Sequence, residues 1–384
     1  LERYANFAAD RRDFALTDFR SRHNEASQAV GYNKSLMLFH MLRQRAGDDA
    51  FDKAIQTFWQ NYQFRHADFH DLIRLLYNPP GNQAETNEDY RQFIEQWLEQ
   101  KGAPQISLDD VSVSKQLDVY TLSIKISQQQ PGPAYRMQIP LEVTLNGTTR
   151  THRENIQLKA KSQQHILKLD RAPVSLTLDP DYDVFRLLHS SERPASLGRL
   201  FGAKKQLLVL PTNSTAEQKE AWQRLAAAWA DKYNNVEVIY DDDPGKIQKT
   251  TAESDAVWLL GWNNKRLEEH QQRFNTPHKG AIVSGEIVST PSKTYSQTLS
   301  GKTATIDKQA LHADKPAIVL LDTDNSRSPM GFIGTDDPAA TASIARKLTH
   351  YSSYGALAFE LPEVNNVIKQ HLPVLKSPMK WKAD

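Results

Sequence analysis

His66 and His70 are four residues apart, a spacing that puts two imidazoles on one helical face where they could share a metal ion. Asp68 lies between them, and Asp71 follows three residues on. That pair reads as a helix cap, which leaves His66 outside the helix. Two solvated histidines are the better reading, and no metal site is assigned. The acidic run YDDDPGK (240–246) could hold Mg²⁺ or Ca²⁺ through oxygens. A solvated turn after a strand explains it more simply. DTDNSRSPMGFI (322–333) starts like a calcium loop but lacks Gly at its sixth position and Glu at its twelfth, so it is rejected.

LPTNSTAEQ (210–218) sets a helix start after a strand, and free N–H groups there can bind an anion. Ser214 or Thr215 as an ordinary cap, with Glu217 or Gln218 close behind, accounts for the same residues. The glycine-rich dinucleotide and P-loop patterns are missing, as is a serine nucleophile elbow. The chain has no cysteine, which removes thiolate ligands, cysteine nucleophiles and disulfides.

One stretch is left, GYNKSLMLFHMLRQRAGDDAF (31–51). From the residues alone it is an apolar helix with Tyr32 near its start, a glycine stop at Gly47, and Asp48 and Asp49 opening the next helix. His40 sits within the apolar pattern and reads as a satisfied core histidine.

The elements that must position these residues fall into three blocks. Residues 1–103 read as all-helical. Phe51, Ile55, Phe58, Trp59 and Tyr62 share one helical face. A helix capped at Asp68 should bury Leu72, Ile73, Leu75 and Leu76. The loop NPPGNQAETN (78–87) follows. Tyr90, Phe93, Ile94, Trp97 and Leu98 mark another amphipathic helix, which Gly102 and Pro104 close.

From about Ile106 the period drops to two. Val111, Val113, Tyr120, Leu122, Ile124 and Ile126 alternate with polar residues, and Asn146-Gly147 marks a hairpin. Residues 104–195 therefore read as an antiparallel β-sandwich plus connector, with a helical connector over 179–202. In 196–384, short apolar strands alternate with helices: QLLVLP, VEVIYD, AVWLLG, AIVSGEIV, PAIVLLD, GFIGTD and ALAFE. That pattern calls for an α/β domain with a mostly parallel sheet.

With these elements in view, residues 29–104 resemble the segment after the zinc site in M1-family zinc aminopeptidases. The family pattern is close to Tyr-Glu-Lys-Gly, an apolar helix with His-Met-Leu, then Gly-Asp/Glu-x-x-Phe. Here it stands as Tyr32-Asn33-Lys34-Ser35, His40-Met41-Leu42 and Gly47-Asp48-Asp49-Ala50-Phe51. YQFRHADFHD (62–71) is similar to the family's next segment, and Phe93, Trp97, Gly102 and Pro104 to its close.

The resemblance implies that Tyr32 donates a hydrogen bond to the oxyanion of a tetrahedral intermediate. It also implies zinc in the parent protein, a peptide substrate and aminopeptidase chemistry. Asn33 stands where the family has Glu, and Ser35 where it has Gly. The zinc motif His-Glu-x-x-His is missing, because no His-Glu pair occurs in the chain. The expectation is a C-terminal portion of such a peptidase, inactive by itself, with metal ligands upstream of Leu1 and no metal or cofactor of its own.

Two other readings stay open. A degenerate peptidase relative could serve as a protein-interaction module, which the altered Asn33 and Ser35 motivate. The α/β domain could bind a small ligand at its TNST loop. LDPDYDVFRLL (178–188) and RKLTHYSSYGALAFE (346–360) also look like segments of some bacterial M1-like proteins, which implies a bacterial, exported parent.

Composition bounds the rest. A length of 384 residues fits two or three domains, and a net charge of +1 gives no argument for nucleic acid. No apolar run reaches the roughly 18 residues of a membrane span.

Overall fold

The computed structural model describes residues 1–8, 12–77, 87–149, 151–243, 255–275, 296–306, 309–312, 316–324, 327–372, 374 and 377–383. It divides into two compact units, Leu1–His189 with Pro378–Asp384, and Ser190–Ser377.

The first unit opens with helices. Asn24 caps Glu25–Gln28 in a reciprocal box with Ser27, and the chain then widens into a π-turn over Ala29–Lys34. Such turns are rare and recur at functional sites. The helix Ser35–Ala46 follows without a break, buries Leu38 and Leu42, and stops at Gly47, whose φ of +82° suits only glycine well. Asp48 and Asp49 then sit in the first turn of the helix Asp48–Tyr62, where the dipole favours them.

The five-residue apolar face of that helix exists but is not a core face. Ala54 is its buried residue, whereas Trp59 is 64% exposed. Asp68 and Asp71 cap each other ahead of the helix Phe69–Tyr77, at 3.1 and 3.2 Å. This helix buries Ile73, Leu76 and Tyr77, while Leu72 and Leu75 lie at its margin. The helix Asn87–Ile94 passes into a second π-turn, Glu95–Glu99. Residues 78–86 of the expected loop lie outside the described residues.

Six strands follow: β1 (Ile106–Gln116), β2 (Val119–Gln128), β3 (Met137–Leu145), β4 (Thr151–Leu158), β5 (Ser162–Leu169) and β6 (Pro173–Leu178). They form two antiparallel sheets, ordered β1-β2-β5 and β6-β3-β4. Alternation gives each sheet one buried face, with Leu122, Ile124 and Ile126 in the first and Ile139, Leu141 and Val143 in the second. Each such side chain contributes about 1.5–3 kcal/mol of burial. Gly147, at φ +70°, makes the expected turn after β3.

The strand Lys380–Lys382 pairs with β6. The end of the chain thus returns to the first unit, which the residue pattern of 196–384 does not foretell. The expected helical connector over 179–202 is also corrected. Helix there is confined to the short turn Ser190–Glu192 and to Leu197–Phe201. Asp179 and Tyr182 take positive φ instead, and the buried Asp179 carboxylate ties down the Asp183 and Val184 amides at 2.7 and 3.2 Å.

The second unit contains β7 (Lys205–Leu210), β8 (Val236–Tyr240), β9 (Asp255–Leu260), β10 (Gln297–Ser300), β11 (Thr303–Ile306), β12 (Gln309–His312), β13 (Pro316–Leu321), β14 (Met330–Gly334), β15 (Ala356–Glu360) and β16 (Asn365–Gln370). Seven of them form one mixed sheet, β16-β15-β13-β14-β9-β7-β8. β14, β9, β7, β8 and β15 point one way, β13 and β16 the other. β10, β11 and β12 make a separate antiparallel sheet.

The helix Ala216–Lys232 buries Trp222, Leu225 and Trp229. The Trp229 indole N–H donates to the Ala345 carbonyl of the helix Ala340–Leu348 at 3.2 Å. AIVSGEIV (281–288) lies outside the described residues.

Candidate functional site

Tyr32 stands on the π-turn between Gln28 and the helix Ser35–Ala46. It is 57% exposed, although its neighbours Ala29, Val30, Gly31 and Lys34 are buried. The Phe19 ring meets the Tyr32 ring edge-on, with centroids 5.8 Å apart. The same Phe19 ring covers Gly31 so closely that a Cβ on that glycine would overlap its carbons. Gly31 therefore lets Phe19 lie under the turn, and Phe19 gives Tyr32 an aromatic wall.

Two residues hold the turn from behind. The Ser35 hydroxyl donates to the Gly31 carbonyl at 2.7 Å, which ties its side chain to the backbone of the turn. Lys34 is only 1% exposed. Its ammonium donates to the Gln100 carbonyl at 3.0 Å and lies 5.7 Å from the centre of the Phe185 ring. Burial lowers its pKa, and the negative charge of Asp13 opposes that shift.

Asp13 in turn accepts from the Tyr4 hydroxyl at 2.7 Å and from the Gly102 amide. Its second oxygen is buried and has no hydrogen-bond partner among the described residues. Burial, then Asp13, raise the Tyr4 pKa, and burial pushes Tyr135 up to about 12, so both phenols are neutral at ordinary pH. Reading by residue type missed Phe19, Asp13 and the burial of Lys34. The lysine within Tyr-Asn-Lys-Ser was the one visible signal.

The other candidates do not assemble into a site. His66 precedes the helix Phe69–Tyr77, and His70 is inside it. His40 is half-buried rather than a core residue, and its Nε2 lies 2.7 Å from the Asp183 carboxylate. The solvated-turn reading of YDDDPGK is corrected at Asp241, which is fully buried. Asp241 accepts from Thr212 N and Oγ1 at 3.0 and 2.6 Å, and from Lys265 N at 2.8 Å. It staples loops instead of waiting for a cation. Asp322, the first acid of the rejected calcium loop, pairs with Arg273 at 2.6 Å.

Thr215 and Gln218 cap each other at 3.3 Å, which occupies the helix start that could have held an anion. Among the described residues, no group of three or more His, Cys, Asp or Glu could hold a metal ion. None of the described helices is long and apolar enough to cross a membrane.

No family model matches the chain. Among curated proteins, the aminopeptidase N of Lactococcus lactis subsp. lactis is 30% identical over 138 residues, 35% of this chain and 15% of that protein. The glutamyl aminopeptidase of Rattus norvegicus is 25% identical over 139 residues, 34% of this chain and 14% of that protein. About a third of this chain is M1-aminopeptidase-like.

The chain spans about 15% of the length of the Lactococcus relative it matches. A solved aminopeptidase A of Legionella pneumophila, in complex with aspartic acid, aligns over 55% of this chain and 23% of its own at 17% identity. Its TM-score is 0.34, too low to carry an argument. The aminopeptidase-like character thus rests on sequence, over a minority of the residues.

Proposed function

We propose that the aminopeptidase-like part supplies one wall of an M1-type peptidase cleft, with Tyr32 donating a hydrogen bond to the oxyanion of the tetrahedral intermediate. The observation that carries this reading is the exposure of Tyr32 on a turn whose residues Ala29, Val30, Gly31 and Lys34 are buried. A phenol hydroxyl open to solvent can donate to charge that develops only in the transition state. Phe19 limits the swing of its ring, and the Lys34 and Ser35 contacts limit that of its backbone.

The zinc of such enzymes would polarise the scissile carbonyl and activate water. The sequence has no His-Glu pair. The ligands are therefore proposed to come from outside these 384 residues, and this chain alone to be inactive. The peptide substrate and the aminopeptidase specificity of the whole protein belong to the same proposal.

The test joins this chain to its zinc-binding segment. Tyr32→Phe should lower kcat by about 10²–10³ with little change in KM. An unchanged kcat would make Tyr32 a packing residue.

A second reading, an interaction module on a degenerate peptidase scaffold, is favoured by Ile55 and Trp59. These lie exposed one turn apart on a helix whose apolar face is not buried. Measurable zinc-dependent peptidase activity in the joined protein would exclude it.

A further inference from the structure

The first unit carries a cleft of about 700 Å³ whose lining does not include Tyr32. That volume suits a small organic ligand. One wall is the outward face of β3 and β4, where Gln138 lies opposite Gln157 and Pro140 opposite Asn155. The ladder ends at the pair Met137–Leu158. Arg136 and Lys159 flank that last pair on opposite strands, and both line the cleft.

The cleft is lined by four cations, Arg45, Arg136, Arg153 and Lys159, and four acids, Asp89, Glu154, Asp181 and Asp183, and the acids are already engaged. Glu154 is engaged by His152 at 3.3 Å and by His165. Asp181 pairs with Arg153 at 3.2 Å, and Asp183 with His40 at 2.7 Å. Asp89 is not free either. Arg136 and Lys159 are the reverse case, since among the described residues neither side chain has an ion-pair or hydrogen-bond partner.

Both residues are solvent-exposed at the end of the ladder. The backbone of Arg136 is also held in place. The buried Gln96 side chain accepts from its amide at 2.7 Å and donates to its carbonyl at 2.9 Å.

We propose that this cleft binds a small molecule bearing a carboxylate or phosphate group, with Arg136 and Lys159 contacting the oxyanion and the Gln138–Gln157 amides hydrogen-bonding the rest. The planar fork of Arg136 matches either oxyanion with two parallel bonds, and Lys159 adds a point charge. The site is separate from Tyr32 and does not depend on a peptidase role.

Calorimetric titration of the whole chain with glutarate and with inorganic phosphate tests it. Saturable binding of one probe identifies which oxyanion is used. Arg136→Gln or Lys159→Gln should then weaken that binding at least about tenfold, the scale of one charge-assisted hydrogen bond. Lys115→Gln, on β1 and outside the cleft, should not change it.

No saturable binding of either probe up to about 10 mM would overturn the proposal. So would equal binding by the Arg136 and Lys159 variants. The unliganded variants supply a second reading. Each replaces an exposed side chain without an ion-pair or hydrogen-bond partner among the described residues, so melting temperature should hold. A clear fall would make the pair structural and count against a ligand site.

Discussion

The Lys34 ammonium lies 3.0 Å from the Gln100 carbonyl, a partly buried contact that joins the turn bearing Tyr32 to the end of the second π-turn. A lysine buried to 1% exposure is expensive unless its charge is answered, and the answer here is one carbonyl, a nearby ring and the charge of Asp13.

Lys34→Met should destabilise the chain by about 1–3 kcal/mol, because the Gln100 carbonyl loses its donor. The pH dependence carries a second signature. The pKa of Lys34 is lowered in the folded state, so from that lowered value up to the ordinary 10.5 the unfolded chain holds more of the proton. Stability from this group therefore rises with pH across that window, and Lys34→Met removes the rise. Urea unfolding of both proteins across the alkaline range checks this by the difference between them. Equal pH slopes would show that Lys34 is not buried as a charge.

Gly31→Ala puts a methyl group where the Phe19 ring lies. Forcing that ring aside should cost about 1–3 kcal/mol. Phe19→Leu, combined with Gly31→Ala, should recover part of the loss, and a double-mutant cycle measures the coupling. Additive losses would mean that the two residues do not compete for one space.

Arg186 and Asp179 form an ion pair at 2.7 Å with both side chains buried. Arg186→Met leaves the Asp179 carboxylate without its countercharge and should cost about 3–5 kcal/mol. Burial already raises the Asp179 pKa against the pull of Arg186, so the variant should take up a proton at Asp179 on folding. Its unfolding free energy should then fall more steeply than wild type as pH rises from the acid side. A flat comparison would contradict the pairing.

Asp241→Ala removes the acceptor of three hydrogen bonds, from Thr212 N, Thr212 Oγ1 and Lys265 N. A loss of at least about 3 kcal/mol is expected on chemical denaturation, since each bond to a charged group is worth about 1.5–3. Millimolar Mg²⁺ or Ca²⁺ should leave the wild-type melting temperature unchanged. A cation-induced rise that Asp241→Ala abolishes would restore the metal reading.

Local chemistry made much of the fold legible. The period of 3.6 before residue 103, the period of two after Ile106, the Asn146-Gly147 turn, the Asp68 cap and the Thr215 cap are all set by neighbours within a few residues. Periodicity could not say which apolar face has something to pack against. Trp59 and Ile55 share a helical stripe with Phe51 and remain exposed, because burial depends on what lies across from a helix and not on its own spacing.

The sequence by itself determined the helical, then antiparallel, then α/β order of the blocks and the missing thiol and His-Glu chemistry. Only the tertiary structure decided that Lys34 is a buried anchor, that Asp241 is a staple, that Arg136 and Lys159 face one cleft, and that the last strand returns to β6. Each of these joins residues separated by tens or hundreds of positions. The energies that select them come from desolvation and charge pairing, which exist only once the distant partners have met.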